Sequence, residues 1–97
     1  MPYYVYILYS EKADKYYVGQ TPDLKTRMLF HNQLSDSSYT SKYRPWELKL
    51  AIEVKNGSQA IKMERYIKGR KSRSYITKLI DSEGAVEKLK HRLGSAG

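Results

Sequence analysis

Two tyrosine-rich runs near the start of the chain combine phenol hydroxyls with a strand-like pattern. "YYVYILYS" covers residues 3–10 and "YYVGQT" covers 16–21, and six of the ten tyrosines fall within the first seventeen residues. Tyrosine suits a pleated, half-buried surface, yet a strand that only packs could use Val, Ile or Phe, and the chain has a single Phe. We therefore treat Tyr6 and Tyr17 as candidates for chemistry. The alternation that places Tyr6 on one face with Tyr4 and Leu8 also allows a simple core role.

Two polar side chains stand on the apolar stripe of the first predicted helix. Arg27 and His31 are four residues apart, so helical geometry projects both from the same face. That face is otherwise formed by Leu24, Met28 and Leu34. His31 could act on a substrate, or it could be a hydrogen-bonded, half-buried histidine of the core.

A carboxylate interrupts the predicted buried face of the second main helix. Glu64 falls in the middle of the face that we expect Ala60, Ile61 and Ile67 to bury. An unpaired buried carboxylate is strongly destabilising, so Glu64 should pair with a cation, bind a metal or line a cleft. A structural ion pair between Arg27 and Glu64 is the alternative to a functional role.

The elements that must position these residues can be predicted from apolar periodicity and from turn and cap signals. We expect strands over 3–9 and 16–20, paired as a hairpin, and then a helix with Thr21 as N-cap and Pro22 as first residue that runs to about Leu34. A polar loop over 35–45 and a strand over 46–54 should follow. The rest should be helical, with a helix that Ser58 caps and Gly69 ends, and two more over 72–80 and 82–93. The order β-β-α-β-α-α-α predicts an α+β fold with a small, mainly antiparallel three-stranded sheet flanked by helices. We expect one domain over 1–93 and a flexible tail over 94–97.

Composition excludes several classes of protein. The 97 residues contain no cysteine, which excludes disulfides and thiolate metal sites. Neither a membrane-spanning apolar run nor a signal-peptide pattern is present, so we expect a cytoplasmic location and no membrane partner.

The positive charge of the chain is concentrated in its second half. The formal net charge is +8, and residues 55–97 hold eleven Lys or Arg against four Asp or Glu. A one-sided basic surface favours a polyanion because phosphate contacts release condensed counterions, although a solvated helix face is the alternative. The candidate nucleic-acid contacts are Lys62, Arg65, Lys68, Arg70, Lys71 and Arg73, with Tyr39, Tyr43, Arg44 and Trp46 from the loop and its end as further phosphate contacts or stacking surfaces.

The ordered set of motifs resembles the GIY-YIG nuclease superfamily. It comprises "YVY" at 4–6, "YVG" at 17–19 after a ten-residue spacer, "T-x-DL-x-x-R-x-x-x-HN" from Thr21, and an acid on a later helix. The chain is most similar to the small single-domain branch, related to the N-terminal incision domain of the excinuclease C subunit. The resemblance extends from about Tyr3 to Ile80.

The resemblance implies a role for each matching residue. Tyr6 and Tyr17 occupy the two motif tyrosines, with Tyr6 favoured as general base and Tyr17 as a positioning group, and Gly19 is the motif glycine. Arg27 matches the catalytic arginine, and His31 stands where the family has His or Tyr. Glu64 matches the carboxylate that holds one Mg²⁺ or Mn²⁺ ion. The implied reaction is hydrolysis of a phosphodiester bond in nucleic acid.

Some positions depart from the family pattern. Tyr4 occupies the position of the glycine in the first motif. Pro22 lies where some relatives carry a lysine, and Ile76 lies where many carry an asparagine. Unless Lys25 or Lys71 reaches the site, a basic helper of the tyrosine is missing. The catalytic set is therefore intact while its supporting set is thinner.

Three functional hypotheses follow. The first is a metal-dependent endonuclease or nuclease-like factor acting on DNA rather than RNA, in repair or recombination. Its target specificity would come either from recognition of structured or damaged nucleic acid or from a protein partner. The second is a non-catalytic nucleic-acid-binding module that retains the fold, and the third is a metal-independent interaction domain.

Overall fold

The computed structural model describes residues 2–34 and 39–94. Its elements are the strands β1 (Tyr3–Ser10), β2 (Lys15–Thr21) and β3 (Glu47–Val54) and the helices α1 (Leu24–Leu29), α2 (Gly57–Arg70), α3 (Arg73–Asp81) and α4 (Glu83–Arg92). A π-helical turn over Phe30–Leu34 continues α1, and a 3₁₀ turn over Tyr39–Tyr43 precedes β3. The predicted α+β fold and its element order are confirmed. Residues 95–97 of the predicted tail (94–97) lie outside the described residues, and so do residues 35–38 of the predicted loop.

The sheet has the order β2-β1-β3, and both pairings are antiparallel. Four successive residues of the central strand, Val5 to Leu8, are all buried, because helices and turns cover both faces of the sheet. None of the helices in residues 2–34 and 39–94 is long and apolar enough to cross a membrane.

Alternate residues of β1 belong to different hydrophobic clusters. Val5 and Ile7 pack with Ala60, Met63 and Ile67 of α2 and with Leu79 and Leu89 of α3 and α4. Tyr6 and Leu8 face the other way and pack with Trp46, against Leu24 and Met28 of α1. The strand therefore carries an aliphatic core on one face and an aromatic cluster on the other.

The predicted inward face of α2 needs one correction. Ile61 is 41% exposed, whereas Met63 is fully buried. The buried stripe is Ala60, Met63 and Ile67, which follows the i, i+3, i+7 spacing of a helix packed on a sheet.

Both predicted N-caps are two residues away from the observed ones. Asp23 caps α1 by accepting from the amide of Thr26, and Thr21 instead accepts from the amide of Asp23 in the preceding turn. Asn56 rather than Ser58 caps α2, through the amide of Gln59. In each case two cap-forming side chains lie close together, and local sequence does not choose between them.

The end of α2 also differs from the prediction. Gly69 lies inside the helix, which continues to Arg70 and ends at Lys71 in the left-handed region, at φ 49°. Gly69 is therefore a helical glycine and not the C-terminal stop.

Candidate active site

Gly19 is the cross-strand partner of Tyr6 in the antiparallel pairing of β1 and β2. A Cβ atom at Gly19 would stand 2.6 Å from Cζ of Tyr6 and 3.1 Å from Cε2 of Tyr17. The φ angle of Gly19 is not in the left-handed region, so glycine is required here for space. The absence of a side chain lets the Tyr6 ring lie directly over the β2 backbone.

The hydroxyl of Tyr6 begins a buried chain of polar groups. It lies 2.8 Å from Nε2 of His31, and Nδ1 of His31 lies 2.9 Å from Oγ1 of Thr40. Tyr6, His31 and Thr40 are each at most 3% exposed. Because a neutral imidazole has one N–H, the ring donates at one contact and accepts at the other, and both hydroxyls can take either part.

The backbone around His31 is held by two further side chains. Nε of Arg44 donates to the carbonyl oxygen of His31 at 2.6 Å, and a second guanidinium nitrogen donates to that of Phe30 at 3.4 Å. The indole N–H of Trp46 donates to the carbonyl of Thr40 at 2.7 Å. The two bonds from Arg44 hold carbonyls of the π-helical turn, and the bond from Trp46 holds the 3₁₀ turn that carries Thr40.

Burial and neighbouring charge set the protonation state of this chain. Burial, followed by the positive charges of Arg27 and Arg44, lowers the pKa of His31 to about 4. Burial, followed by Tyr17, raises the pKa of the Tyr6 phenol well above its ordinary value; Arg27 opposes this rise and Glu64 adds to it. At neutral pH the site therefore holds a protonated phenol against an uncharged imidazole.

Tyr17 lies beside the Tyr6–His31 pair. Its ring meets the His31 ring edge-on, with centroids 5.1 Å apart, and lies 6.4 Å from the Tyr6 ring. The structure gives the Tyr17 hydroxyl no hydrogen-bond partner among the described residues. The ammonium of Lys68 stands 5.6 Å from the centroid of the Tyr17 ring.

Glu64 reaches the same region from α2, which packs along β2 and β1. Its side chain is 19% exposed, and Lys68 donates to its Oε2 at 2.8 Å in an i, i+4 pair. The hypothesis of an Arg27–Glu64 ion pair is wrong: among the described residues, the salt-bridge partner of Glu64 is Lys68. The charge of Glu64 still acts on Tyr6, as its effect on the phenol pKa shows.

Arg27 is half-buried on α1, with its guanidinium carbon 5.1 Å from the centroid of the Phe30 ring. Its charge acts on both Tyr6 and His31. Five elements, β1, β2, α1, the π-helical turn and α2, thus bring Tyr6, Tyr17, Arg27, His31 and Glu64 together.

The predicted nucleic-acid contacts are dispersed, and several are engaged within the protein. Arg73 pairs with Asp14 and stacks on Tyr16 at 5.0 Å, while Arg44 holds the carbonyls described above. Tyr43 is half-buried beneath the Lys15 ammonium, 4.5 Å from its ring centroid. Lys62 donates to the carbonyl of Leu93.

Other members of that predicted set remain accessible. Arg65, Arg70 and Lys71 are exposed, and none of them forms an ion pair with a described residue. Trp46 is only 3% exposed, so the expectation that it stacks on a base is wrong. The side chain of Tyr39 lies outside the described residues.

No group of three or more His, Cys, Asp or Glu side chains that could hold a metal occurs in the described part of the chain. Glu64 offers one carboxylate, whose oxygens are hard donors. This suits Mg²⁺, because that ion keeps several waters and takes one or two carboxylates together with substrate phosphate. The residues present therefore fit such an ion, provided that Lys68 releases Oε2.

Sequence reasoning missed the residues that support the site. Asn32 both donates to the carbonyl and accepts from the amide of Trp46, at 3.0 and 2.7 Å. Thr40 completes the chain from Tyr6. Lys68, which was predicted only as a nucleic-acid contact, places its ammonium beside Tyr17 and provides there the basic group that Pro22 does not. The one available signal was the position of Asn32 directly after His31.

Comparison with known proteins places this geometry in a family. The family model described as the GIY-YIG catalytic domain matches residues 2–78. Among solved structures, the chain is similar to a UPF0213 protein from Bacillus halodurans, known from a solution NMR structure. The identity is 26% and the TM-score 0.53, and the alignment covers 99% of this chain and 100% of that one. No curated protein matches. The chain thus belongs to the GIY-YIG catalytic domain family, which implies a nuclease-type activity on nucleic acid.

Proposed function

We propose that this protein hydrolyses phosphodiester bonds in nucleic acid with the help of one divalent ion, Mg²⁺ or Mn²⁺, held by Glu64. The observation that carries the proposal is the buried 2.8 Å contact between the Tyr6 hydroxyl and Nε2 of an uncharged His31, within reach of the charges of Arg27 and Glu64. A core tyrosine has no need of this set of partners.

Tyr6 is the general base in this proposal. Its O–H donates to Nε2 of His31, and His31 donates from Nδ1 to Oγ1 of Thr40. As the attacking water loses a proton to the oxygen of Tyr6, the phenol proton passes to Nε2 of His31. The water oxygen bonds to phosphorus while the bond to the leaving oxygen breaks, and the leaving oxyanion takes up a proton from solvent.

The charges around Tyr6 make this transfer possible at a substrate phosphate. Burial keeps the phenol protonated in the free protein, and Arg27 opposes that effect. An incoming phosphate beside His31 favours the protonated imidazole, because opposite charges stabilise each other. Proton transfer is therefore coupled to substrate binding.

Arg27 and Tyr17 complete the set of residues that contact substrate. Arg27 stacks on Phe30, which orients the guanidinium and leaves its N–H edge for phosphate oxygens as negative charge develops there. The Tyr17 hydroxyl positions the attacking water or a phosphate oxygen, since it has no partner within the described residues.

Glu64 is the residue that would hold the metal, and Lys68 would then have to release Oε2 of Glu64. Bound there, a divalent ion supplies polarisation of the phosphate and stabilisation of the leaving oxygen. The freed Lys68 ammonium then stands beside Tyr17 as an additional cation for phosphate. We propose DNA as the substrate and repair or recombination as the setting; both rest on the family resemblance.

A second candidate function is a non-catalytic nucleic-acid-binding module. The internal Lys68–Glu64 pair favours it, because an internal cation already neutralises the carboxylate that would bind the metal. Under this alternative the basic side chains bind phosphate and Glu64 serves only to hold Lys68.

A cleavage assay on labelled branched, nicked, single- and double-stranded DNA and RNA separates the two. Wild type is compared with Glu64→Gln, in Mg²⁺ or Mn²⁺ and in EDTA, and Glu87→Gln serves as a matched control at a carboxylate on α4. We expect metal-dependent cleavage by wild type and Glu87→Gln and none by Glu64→Gln. Salt-sensitive binding without cleavage by any of the three would favour the binding module, and equal cleavage by all three would reject Glu64 as metal ligand.

A further inference from the structure

A second basic site lies on the face of the sheet opposite α1. Helices α2, α3 and α4 line an open pocket of about 180 Å³. We call it the α2–α4 pocket, and its charged and aromatic lining is formed by Tyr66, Arg70, Tyr75, Lys78, Lys88 and Arg92. Each helix contributes one face, since these residues follow i, i+3 or i, i+4 spacing.

The lining of the α2–α4 pocket carries four cationic side chains and no acidic one. None of the four forms an ion pair with any described residue. Bringing four like charges around one pocket without a counterion is unfavourable. The arrangement therefore favours an anionic ligand.

Two of the cations are held in place by aromatic rings. The guanidinium of Arg70 lies 4.6 Å from the Tyr75 centroid, and that of Arg92 lies 5.9 Å from the Tyr66 centroid. The two rings meet edge to face at 6.3 Å. No described residue accepts a hydrogen bond from either guanidinium, and the planar N–H fork of each matches the oxygens of a phosphate.

The α2–α4 pocket and the candidate active site flank the same helix. At 100° per residue, Glu64 and Lys68 lie to one side of the buried stripe of α2, and Tyr66 and Arg70 lie to the other. The exposed crest between the two sides carries Arg65, which forms no ion pair with a described residue. A polyanion that crosses the outer surface of α2 meets Lys68, Arg65 and Arg70 in turn.

We propose that the α2–α4 pocket is a second phosphate-binding subsite, which holds the nucleic-acid backbone at a distance from the bond that is cut. This inference rests on the nucleic-acid part of the proposed function. A helix is about 10–12 Å across, and phosphates of one strand are about 3.4 Å apart along the helix axis. The bound phosphate is therefore at least about three nucleotides from the scissile bond.

The test measures the salt dependence of binding to a fluorescein-labelled 30-base-pair DNA duplex in EDTA, where metal-dependent cleavage is blocked. The variant Arg70→Gln/Arg92→Gln removes the two stacked cations, and Lys78→Gln/Lys88→Gln removes the other two without touching a cation–aromatic contact. The control Lys12→Gln/Lys55→Gln removes two exposed charges elsewhere. Thermal unfolding of each variant verifies that it is folded.

We expect both pocket variants to bind DNA more weakly, with a salt slope lower by about 0.9 for each phosphate that the variant no longer neutralises, while the control keeps the wild-type slope. An equal decrease of slope in all three variants would indicate general charge and overturn the proposal, as would wild-type binding by both pocket variants.

Two further outcomes identify other ligands. If the pocket variants bind polyglutamate more weakly but DNA as wild type does, the ligand is an acidic protein partner. If the pocket binds inorganic phosphate while the variants bind DNA as wild type does, the ligand is a small anion. Either outcome overturns the proposed nucleic-acid subsite. A lower salt slope without cleavage by any protein, wild type included, would support the subsite while rejecting the proposed catalysis.

Discussion

The close approach of Gly19 to the Tyr6 ring makes the most specific prediction about how the site is built. In Gly19→Ala the new Cβ would stand 2.6 Å from Cζ of Tyr6, whereas ordinary contact begins at 3.4 Å, so the ring must retreat by about 0.8 Å. Overpacking of a buried site typically costs about 1–3 kcal/mol of unfolding free energy. A shift of that size also disturbs the 2.8 Å contact with His31, so cleavage should become slower as well.

A double-mutant cycle isolates this interaction. Tyr6→Leu removes Cζ and the hydroxyl, so Gly19→Ala should cost less than about 1 kcal/mol in that background, with a coupling energy of about 1–2 kcal/mol. Urea unfolding followed by the fluorescence of Trp46, which is 3% exposed in the folded protein, measures each free energy.

Gly69→Ala is the control. A Cβ at Gly69 meets nothing within 4 Å, and the residue lies inside α2, so alanine should stabilise the protein by about 0.4–1 kcal/mol. An equal cost of Gly19→Ala in both backgrounds would refute this reasoning, because it would show that the Tyr6 ring is not what excludes a side chain at Gly19.

Three other substitutions test the supporting groups. His31 has a pKa of about 4 in the folded protein against an ordinary value of 6.5, so the unfolded chain binds the proton more readily. Protonation of the unfolded chain should therefore lower the unfolding free energy by about 1.4 kcal/mol per pH unit as pH falls from 6.5 to 4. His31→Gln should flatten that part of a plot of unfolding free energy against pH, and an unchanged plot would contradict the assignment. Lys68→Met should tighten Mn²⁺ binding by up to about fivefold, since a half-exposed ion pair is worth at most about 1 kcal/mol. Electron paramagnetic resonance of free Mn²⁺ gives the affinity. Weaker binding than in the control Lys55→Met would show that Lys68 does not compete with the metal for Glu64. Asn32→Ala should lower the unfolding free energy in urea by about 2 kcal/mol, because two backbone groups of Trp46 are left without their partner, and a cost near zero would show that water replaces the amide.

Sequence periodicity was sufficient for the sheet and for the order of the elements. The hairpin register follows from alternation in two short strands, and it brings Tyr6 opposite Gly19 once the strands pair. An alternating hairpin is therefore enough to place the two motifs opposite each other, but it does not explain why residue 19 is a glycine. A bulge, or a close approach of backbone to a helix, would equally explain a glycine in a strand, and the observed neighbour of Gly19 is instead the ring of Tyr6.

Helix boundaries could not be predicted to the residue because competing signals lie side by side. Thr21 and Asp23 can both cap α1, and Asn56 and Ser58 can both cap α2; tertiary packing selects between them. The π-helical turn after Leu29 has no local signal. Its first two carbonyls accept from Arg44, which lies more than ten residues away in sequence.

The support of the site depends on interactions between residues distant in sequence. Thr40 reaches His31 and Asn32 reaches Trp46 through bonds that no local pattern encodes. The position of Lys68 was equally hidden, since its i, i+4 spacing from Glu64 is common on solvated helices. Side chains that position others are thus harder to predict than the residues they position.

The most direct test of the role of Tyr6 compares single-turnover cleavage by wild type and Tyr6→Phe at saturating protein, with DNA affinity measured in parallel. The ring of Phe still fills the space over Gly19, so we expect folding and affinity to persist, with unfolding free energy lower by about 1–2 kcal/mol because the hydrogen bond to His31 is removed. We predict that Tyr6→Phe binds DNA as wild type does and cleaves it at least ~100-fold more slowly, at about the lower limit for removal of a general base. Cleavage at the wild-type rate by folded Tyr6→Phe would contradict the proposed mechanism, because the phenol would then have no part in the reaction.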